Sequence, residues 1–214
     1  MTSDAKMSLG IILEENAAKY GDSPAIKFED LSYSHNEFNS IANQYAHYLL
    51  SIGVQRGETV IAFLENRPEI LFIIAAVSKI DAVVSLINPH QRGPVLMHSV
   101  GLAPSKHFII GEELVEAFEE TKPELNLSSD VGFYYLPDKG AGSVPDGYQD
   151  WNQLIKDCDT QNLPITADIT MQEPFAYLFT SGTTGMPKAA ITVHGRWVGP
   201  SKIFGKVLFK LTVK

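Results

Sequence analysis

The run ILFIIAAVSKIDAVVSLI, which starts at Ile70, limits the fold more than any other part of the chain. A membrane-spanning helix needs about 20 consecutive apolar residues, and Lys79 and Asp81 interrupt this run. A buried helix over EILFIIAAVSKI followed by a buried strand over AVVSLI accounts for it better. TVIAFL, just upstream, reads as another strand. Strand, helix and strand in that order are the unit of right-handed crossovers on a mainly parallel sheet. The predicted class is therefore α/β, with helices flanking that sheet.

The same alternation extends along the chain. In SLGIILEENAAKYG, Leu9, Ile12, Leu13, Ala17 and Tyr20 fall near helical spacing, and Gly21 stands where a left-handed helix end takes a glycine. AIKFED and LSYS predict a small hairpin turned at Glu29 and Asp30. Ser34 and Glu37 form a capping box, and behind it Phe38, Ile41, Ala42, Tyr45, Leu49 and Ile52 share one helical face until Gly53. Asn66 with Glu69 reads as the next cap. Pro94 to Leu102 reads as a helix, HFII as a strand and Glu112 to Glu120 as a helix. VGFYYL is a strand within a turn-rich region from Lys122 to Asp150, whose loosest part, PDKGAGSVPDG, reads as a surface loop rather than a domain boundary.

Composition excludes several functions. With 44% hydrophobic and 20% charged residues, the chain sits with ordinary globular proteins. A formal charge of -8 opposes binding to nucleic acid, which relies on Lys and Arg at phosphates. The lone cysteine, Cys158, has no motif around it and no partner for a disulfide, and no secretory leader precedes it, so a reducing, cytoplasmic compartment is expected. Apart from His194, the five other histidines lack metal-ligand spacing with each other or with carboxylates. Tyr134, Tyr135 and Trp151 read as packing aromatics.

One stretch carries chemistry: YLFTSGTTGMPKAA, Tyr177 to Ala190. The apolar strand FAYLF feeds into two glycines, four hydroxyl side chains and a lysine, and AAITV follows. A phosphate cradle needs backbone N–H groups at tight approach, hydroxyl donors and a fixed positive charge. Gly182 and Gly185 supply the turns, Thr180, Ser181, Thr183 and Thr184 the hydroxyls, and Lys188 the charge. A polar surface loop has a similar composition, but the bracketing strands and the closing Pro and Lys favour the cradle. The spacing departs from G-x-x-x-x-G-K-[ST], which disfavours a P-loop NTPase.

YLFTSGTTGMPKAA resembles the phosphate-loop signature of the adenylate-forming superfamily. The segment FLENRPEILFIIAAVSKIDAVVSLINPHQRGPVLMHSV is similar to the N-terminal region of one branch, the fatty acid transport protein and very-long-chain acyl-CoA synthetase family, where an Asn and an Arg follow the strand as Asn88 and Arg92 do. The resemblance implies the large N-terminal domain of an AMP-forming ligase that uses ATP, Mg²⁺ and coenzyme A to turn a fatty acid into its thioester. It implies that Ser181 to Gly185 hold the β- and γ-phosphates, that Lys188 adds charge, and that Thr180 helps to ligate Mg²⁺. His194 falls where many members carry a histidine near the acyl-adenylate pocket; a catalytic role and a structural one are equally open.

Members also carry an adenine box, a ribose-binding Asp, a hinge and a small C-terminal domain, none of which is recognisable here; Tyr20-Gly21-Asp22 runs on into Ser and Pro. The expectation is that residues 1–214 are a partial N-terminal domain, cut shortly after the loop and inactive alone. The alternative is a noncatalytic nucleotide-binding or protein-interaction module. KIFGKVLFKLTVK reads as a helix with lysines on its solvated face. A sheet cut in mid-domain favours self-association, and association with a membrane stays open.

Overall fold

The computed structural model describes residues 5–138, 142–180 and 185–203. Local capping chemistry sets its first elements. Ser8 accepts a hydrogen bond from the Ile11 N–H at 3.1 Å and starts α1 (Leu9–Tyr20), and Gly21, at φ +49°, ends it. β1 (Pro24–Phe28) and β2 (Leu31–Ser34) pair antiparallel around Glu29 and Asp30, with Glu29 in the left-handed region. Ser34 then caps α2 (His35–Ser51) with both halves of the box formed: Glu37 N–H donates to Ser34 Oγ at 3.1 Å, and Ser34 N–H donates to Glu37 Oε2 at 2.8 Å.

β3 (Thr59–Phe63) leads into α3 (Pro68–Lys79), and here the structure corrects the expected cap. Arg67, not Asn66, is the N-cap residue and makes no side-chain cap bond. Pro68 takes the first helical position, where its missing N–H leaves no extra donor unsatisfied. β4 (Val83–Leu86), α4 (Gly93–Leu102) and β5 (His107–Gly111) follow. The helix expected from Glu112 is a 3-10 turn over Glu112–Leu114 that continues into α5 (Val115–Thr121). After β6 (Gly132–Leu136) come β7 (Gln149–Asp150) and the short α6 (Trp151–Ile155), neither of which the sequence had marked. β8 (Pro174–Thr180), β9 (Lys188–Val193) and α7 (His194–Ile203) close the described chain. α7 begins before the segment read as a terminal helix, most of which lies outside the described residues.

Seven strands form one sheet in the order β7-β6-β5-β3-β4-β8-β9. Every neighbouring pair is parallel except β8 and β9. β3 is buried along its whole length and alternates between two cores: Val60 and Ala62 join Phe72, Ile73 and Leu49, while Ile61 and Phe63 join Leu96, Val100 and Phe118. Period-two alternation thus splits an unbroken apolar strand between helices on opposite faces. The charges that interrupt the apolar run find partners. Lys79 is fully buried with its ammonium 2.6 Å from Glu14 of α1, and Asp81, in the left-handed region, pairs with Arg56. Among the described residues no helix is long and apolar enough to cross a membrane.

Trp151 anchors α6 against the sheet's edge. It is fully buried, with ring centroids 5.1 Å from Tyr45, 5.4 Å from Tyr48 and 5.6 Å from Tyr134. Replacing it with alanine leaves a cavity under that corner, and Trp151→Ala is expected to lower stability by about 4 kcal/mol, read from the urea midpoint. A change below about 1 kcal/mol would show that the corner collapses onto the gap.

Candidate functional site

In a parallel sheet the loops at the carboxyl ends of the strands converge on one edge, where ligands of open α/β folds bind. β8 reaches that edge beside β4, with Val84 opposite Ala176, Ser85 opposite Tyr177 and Leu86 opposite Leu178. β9 then returns antiparallel, so the candidate phosphate loop is flanked by the paired strands of a β-hairpin. Thr180 and Lys188 face each other across its neck, which puts both side chains on the same face. Both are exposed, and Lys188 makes no ion pair among the described residues. Gly185 has φ +86°, a conformation that favours glycine. Ser181, Gly182, Thr183 and Thr184 lie outside the described residues.

The hairpin is tied down from α4. His98 Nε2 lies 3.0 Å from the carbonyl oxygen of Pro187, and Phe179 packs against the core that contains Leu96 and Val100. Sequence reasoning missed His98, because its contact joins residues 89 apart and leaves no local pattern. Beside the hairpin, the loop after β4 folds on itself. Asn88 Oδ1 accepts from the His90 N–H at 2.9 Å, and Arg92 donates to the carbonyls of Pro89 and Gln91 at 2.6 and 2.7 Å. Gln91 is buried there, and its Oε1 has no partner among the described residues.

His194 is not brought to this neck. β9 separates it from Lys188, and at about 3.3 Å per residue that is roughly 20 Å. It is fully buried, its ring stacks on Phe175 at 4.8 Å, and its Nδ1 accepts from the Leu9 N–H at 3.3 Å. Of the two roles open at the sequence level, this position favours the structural one: the imidazole links the end of β9 to the start of α1. Burial lowers its pKa to about 4, with Glu173 pulling weakly the other way.

Tyr20 and Gly21 are the end of α1, apart from the hairpin. Cys158 is half-buried, and burial raises its thiol pKa, which disfavours the nucleophilic thiolate. Among the described residues no group of three or more His, Cys, Asp or Glu could hold a metal ion.

Residues 13–205 match the family described as AMP-binding enzyme. The chain is 32% identical over 208 residues to a medium/long-chain-fatty-acid CoA ligase, FadD6, of Mycobacterium tuberculosis, an alignment covering 97% of this chain and 33% of the relative. It is 31% identical to long-chain fatty acid transport protein 1 of Rattus norvegicus, covering 75% of this chain and 25% of that protein. The chain thus spans about a third or less of the length of these curated relatives. Its fold matches that of the anthranilate CoA ligase AuaEII in complex with anthranoyl-AMP (TM-score 0.84, 21% identity, 94% of this chain and 38% of that one). It also matches the N-terminal domain of FACL13 from Mycobacterium tuberculosis (TM-score 0.75, 18% identity, 90% of this chain and 47% of that one).

The buried imidazole makes a pH dependence. The unfolded chain protonates His194 near its ordinary value of 6.5, whereas the folded chain resists protonation down to about 4. Stability is therefore full above pH 6.5 and falls as the pH drops from there toward 4, by up to about 3 kcal/mol. His194→Gln keeps a hydrogen-bond acceptor without the titration. Urea midpoints between pH 7 and pH 4.5 should fall more steeply for the wild type than for this variant, and equal slopes would refute the assignment.

Proposed function

This chain belongs to the AMP-binding enzyme family, and on that premise we propose that its residues form part of the N-terminal domain of an ATP-dependent fatty acyl-CoA synthetase. In that reaction a fatty carboxylate attacks the α-phosphorus of ATP, giving an acyl-adenylate and pyrophosphate. The thiol of coenzyme A then attacks the acyl carbon, releasing AMP and forming the thioester. Two curated relatives bear names of fatty-acid ligation and fatty-acid transport, which supports the substrate class.

The observation that carries the proposal is the hairpin neck, where Thr180 stands across from Lys188 at the carboxyl edge of the sheet. Charge grows on the departing pyrophosphate, and donors fixed in advance lower that barrier without having to reorganise. Lys188 is free to supply a positive charge at the β- and γ-phosphates, and Gly185 lets the backbone turn its N–H groups toward them. The Thr180 hydroxyl is an exposed, hard oxygen, which suits Mg²⁺, a cation that takes most of its ligands from water and phosphate oxygens. Bound there, the ion would neutralise phosphate charge. Ser181 to Thr184 would complete the cradle.

A second reading has its own observation. Among the described residues β9 is the sheet's last strand, and Ile191 of β9 and Trp197 of α7 are 54% and 49% exposed. Open edges and exposed apolar side chains invite pairing, and on this reading the chain is a module that binds a protein or a second copy of itself.

Two measurements separate these readings. Titration with MgATP should show weak, saturable binding that Lys188→Ala weakens about tenfold, equivalent to about 1.4 kcal/mol, while carboxylate-dependent ATP–pyrophosphate exchange by the 214-residue chain stays at background. Unchanged affinity in the variant, or brisk exchange, would sink the proposal. Light scattering across a dilution series should show association that Ile191→Lys reverses; a monomer at every concentration removes the second reading.

A further inference from the structure

The hairpin neck is held at a point that its own ladder does not reach. The pairing of β8 with β9 ends at Thr180 and Lys188, so Pro187 lies one residue past the last pair. Pro187 has no N–H to donate. Among the described residues its carbonyl oxygen has one partner, His98 Nε2 at 3.0 Å. A carbonyl only accepts, so Nε2 carries the ring hydrogen in this contact.

His98 can grip that carbonyl because α4 is itself fixed. Leu96 and Val100, two residues to either side of it, are buried in the core with Ile61, Phe63 and Phe108, and Phe179 of β8 packs against the same core. Lys188 belongs to the other face. Side chains alternate along a strand, and Ala176 and Leu178 lie with Phe72 and Ile73 of α3. Thr180 continues that row, and Lys188 stands opposite Thr180. The imidazole therefore holds the residue before Lys188 from the α4 side, while the ammonium leaves the strand on the α3 side and stays exposed.

We propose that His98 is a positioning residue for phosphate binding: by fixing the Pro187 carbonyl it sets the point from which Lys188 presents its charge. The proposal rests on the reading of this hairpin as a phosphate cradle. A lysine carries a long, freely rotating stem, and any added backbone freedom beneath it multiplies the arrangements that binding must suppress. A neck restrained one residue beyond the ladder removes that freedom before the ligand arrives. His98 acts through Lys188.

Titration of the 214-residue chain with MgATP by calorimetry at pH 7.5 tests this. His98→Met removes the donor at similar size and should weaken binding about fivefold, whereas His98→Gln keeps an N–H at the reach of Nε2 and should stay within about twofold of the wild type. His98→Asn, a methylene shorter, should behave as His98→Met does and replaces it if that variant fails to fold by circular dichroism. In a Lys188→Ala background His98→Met should add nothing, because its effect passes through the missing ammonium. Hydrogen exchange without ligand should be severalfold faster at the amides of residues 188–190 in His98→Met than in the wild type or His98→Gln, with β3 and β5 unchanged. Full additivity with Lys188→Ala, no rescue by glutamine, or unchanged exchange at the neck would each overturn the positioning role. Unchanged MgATP affinity in Lys188→Ala alone would instead sink the phosphate-cradle reading, and the exchange rates would still decide whether His98 restrains the neck.

Discussion

The parallel seam between β4 and β8 is the contact on which the phosphate-loop hairpin depends. Two antiparallel strands alone are marginally stable in water, and among the described residues β9 has no neighbour on its outer side. β8 is therefore held from within the sheet, by Val84, Ser85 and Leu86. Phe175 and Ala176 sit in the same core as Phe72 and Ile73 of α3, so the helix that covers the middle of the sheet also fixes the strand that carries the loop. His98 adds a second restraint from the other face, at the carbonyl of Pro187. The neck of a polar loop is thereby supported on both sides of the sheet, while the face that bears Thr180 and Lys188 stays exposed.

This support follows from how strongly the central strands are buried. β3 contributes to both cores and β5 does the same through Ile109 on one face and Phe108 and Ile110 on the other. A strand covered on both sides tolerates no register slip without exposing one core, so the order of loops along the carboxyl edge is fixed by packing. Lys79 shows what that packing demands of a charge: fully enclosed, it survives because Glu14 reaches in from α1, against a burial cost that lowers its pKa.

What could be read from the sequence was local. The Ser34–Glu37 box, the Gly21 stop and the period of α2 rest on contacts within a few residues, and all are present as read. The parallel sheet was legible too, because the apolar runs alternate with helical periods. The cap of α3 was misplaced by one residue, since Pro68 overrides Asn66 by geometry alone. β7 and α6 were missed because they are short and hidden in a turn-rich region, and what holds them is Trp151 packing against tyrosines far away in sequence. The candidate site divides in the same way. The Thr180 to Lys188 stretch carries its own pattern, whereas the distance of His194 from the neck and the role of His98 exist only once α1, α4 and β9 are assembled.

The bond between the Leu9 N–H and the imidazole of His194 spans 185 positions of chain. During synthesis the opening helix leaves the ribosome long before its partner exists, and Ser8 alone must guard the helix start through that interval. The N-terminal layer is thus obliged to dock provisionally, and its final locking waits until the last described strand has threaded into place. The start of this helix is thus completed by an imidazole synthesised 185 positions after it.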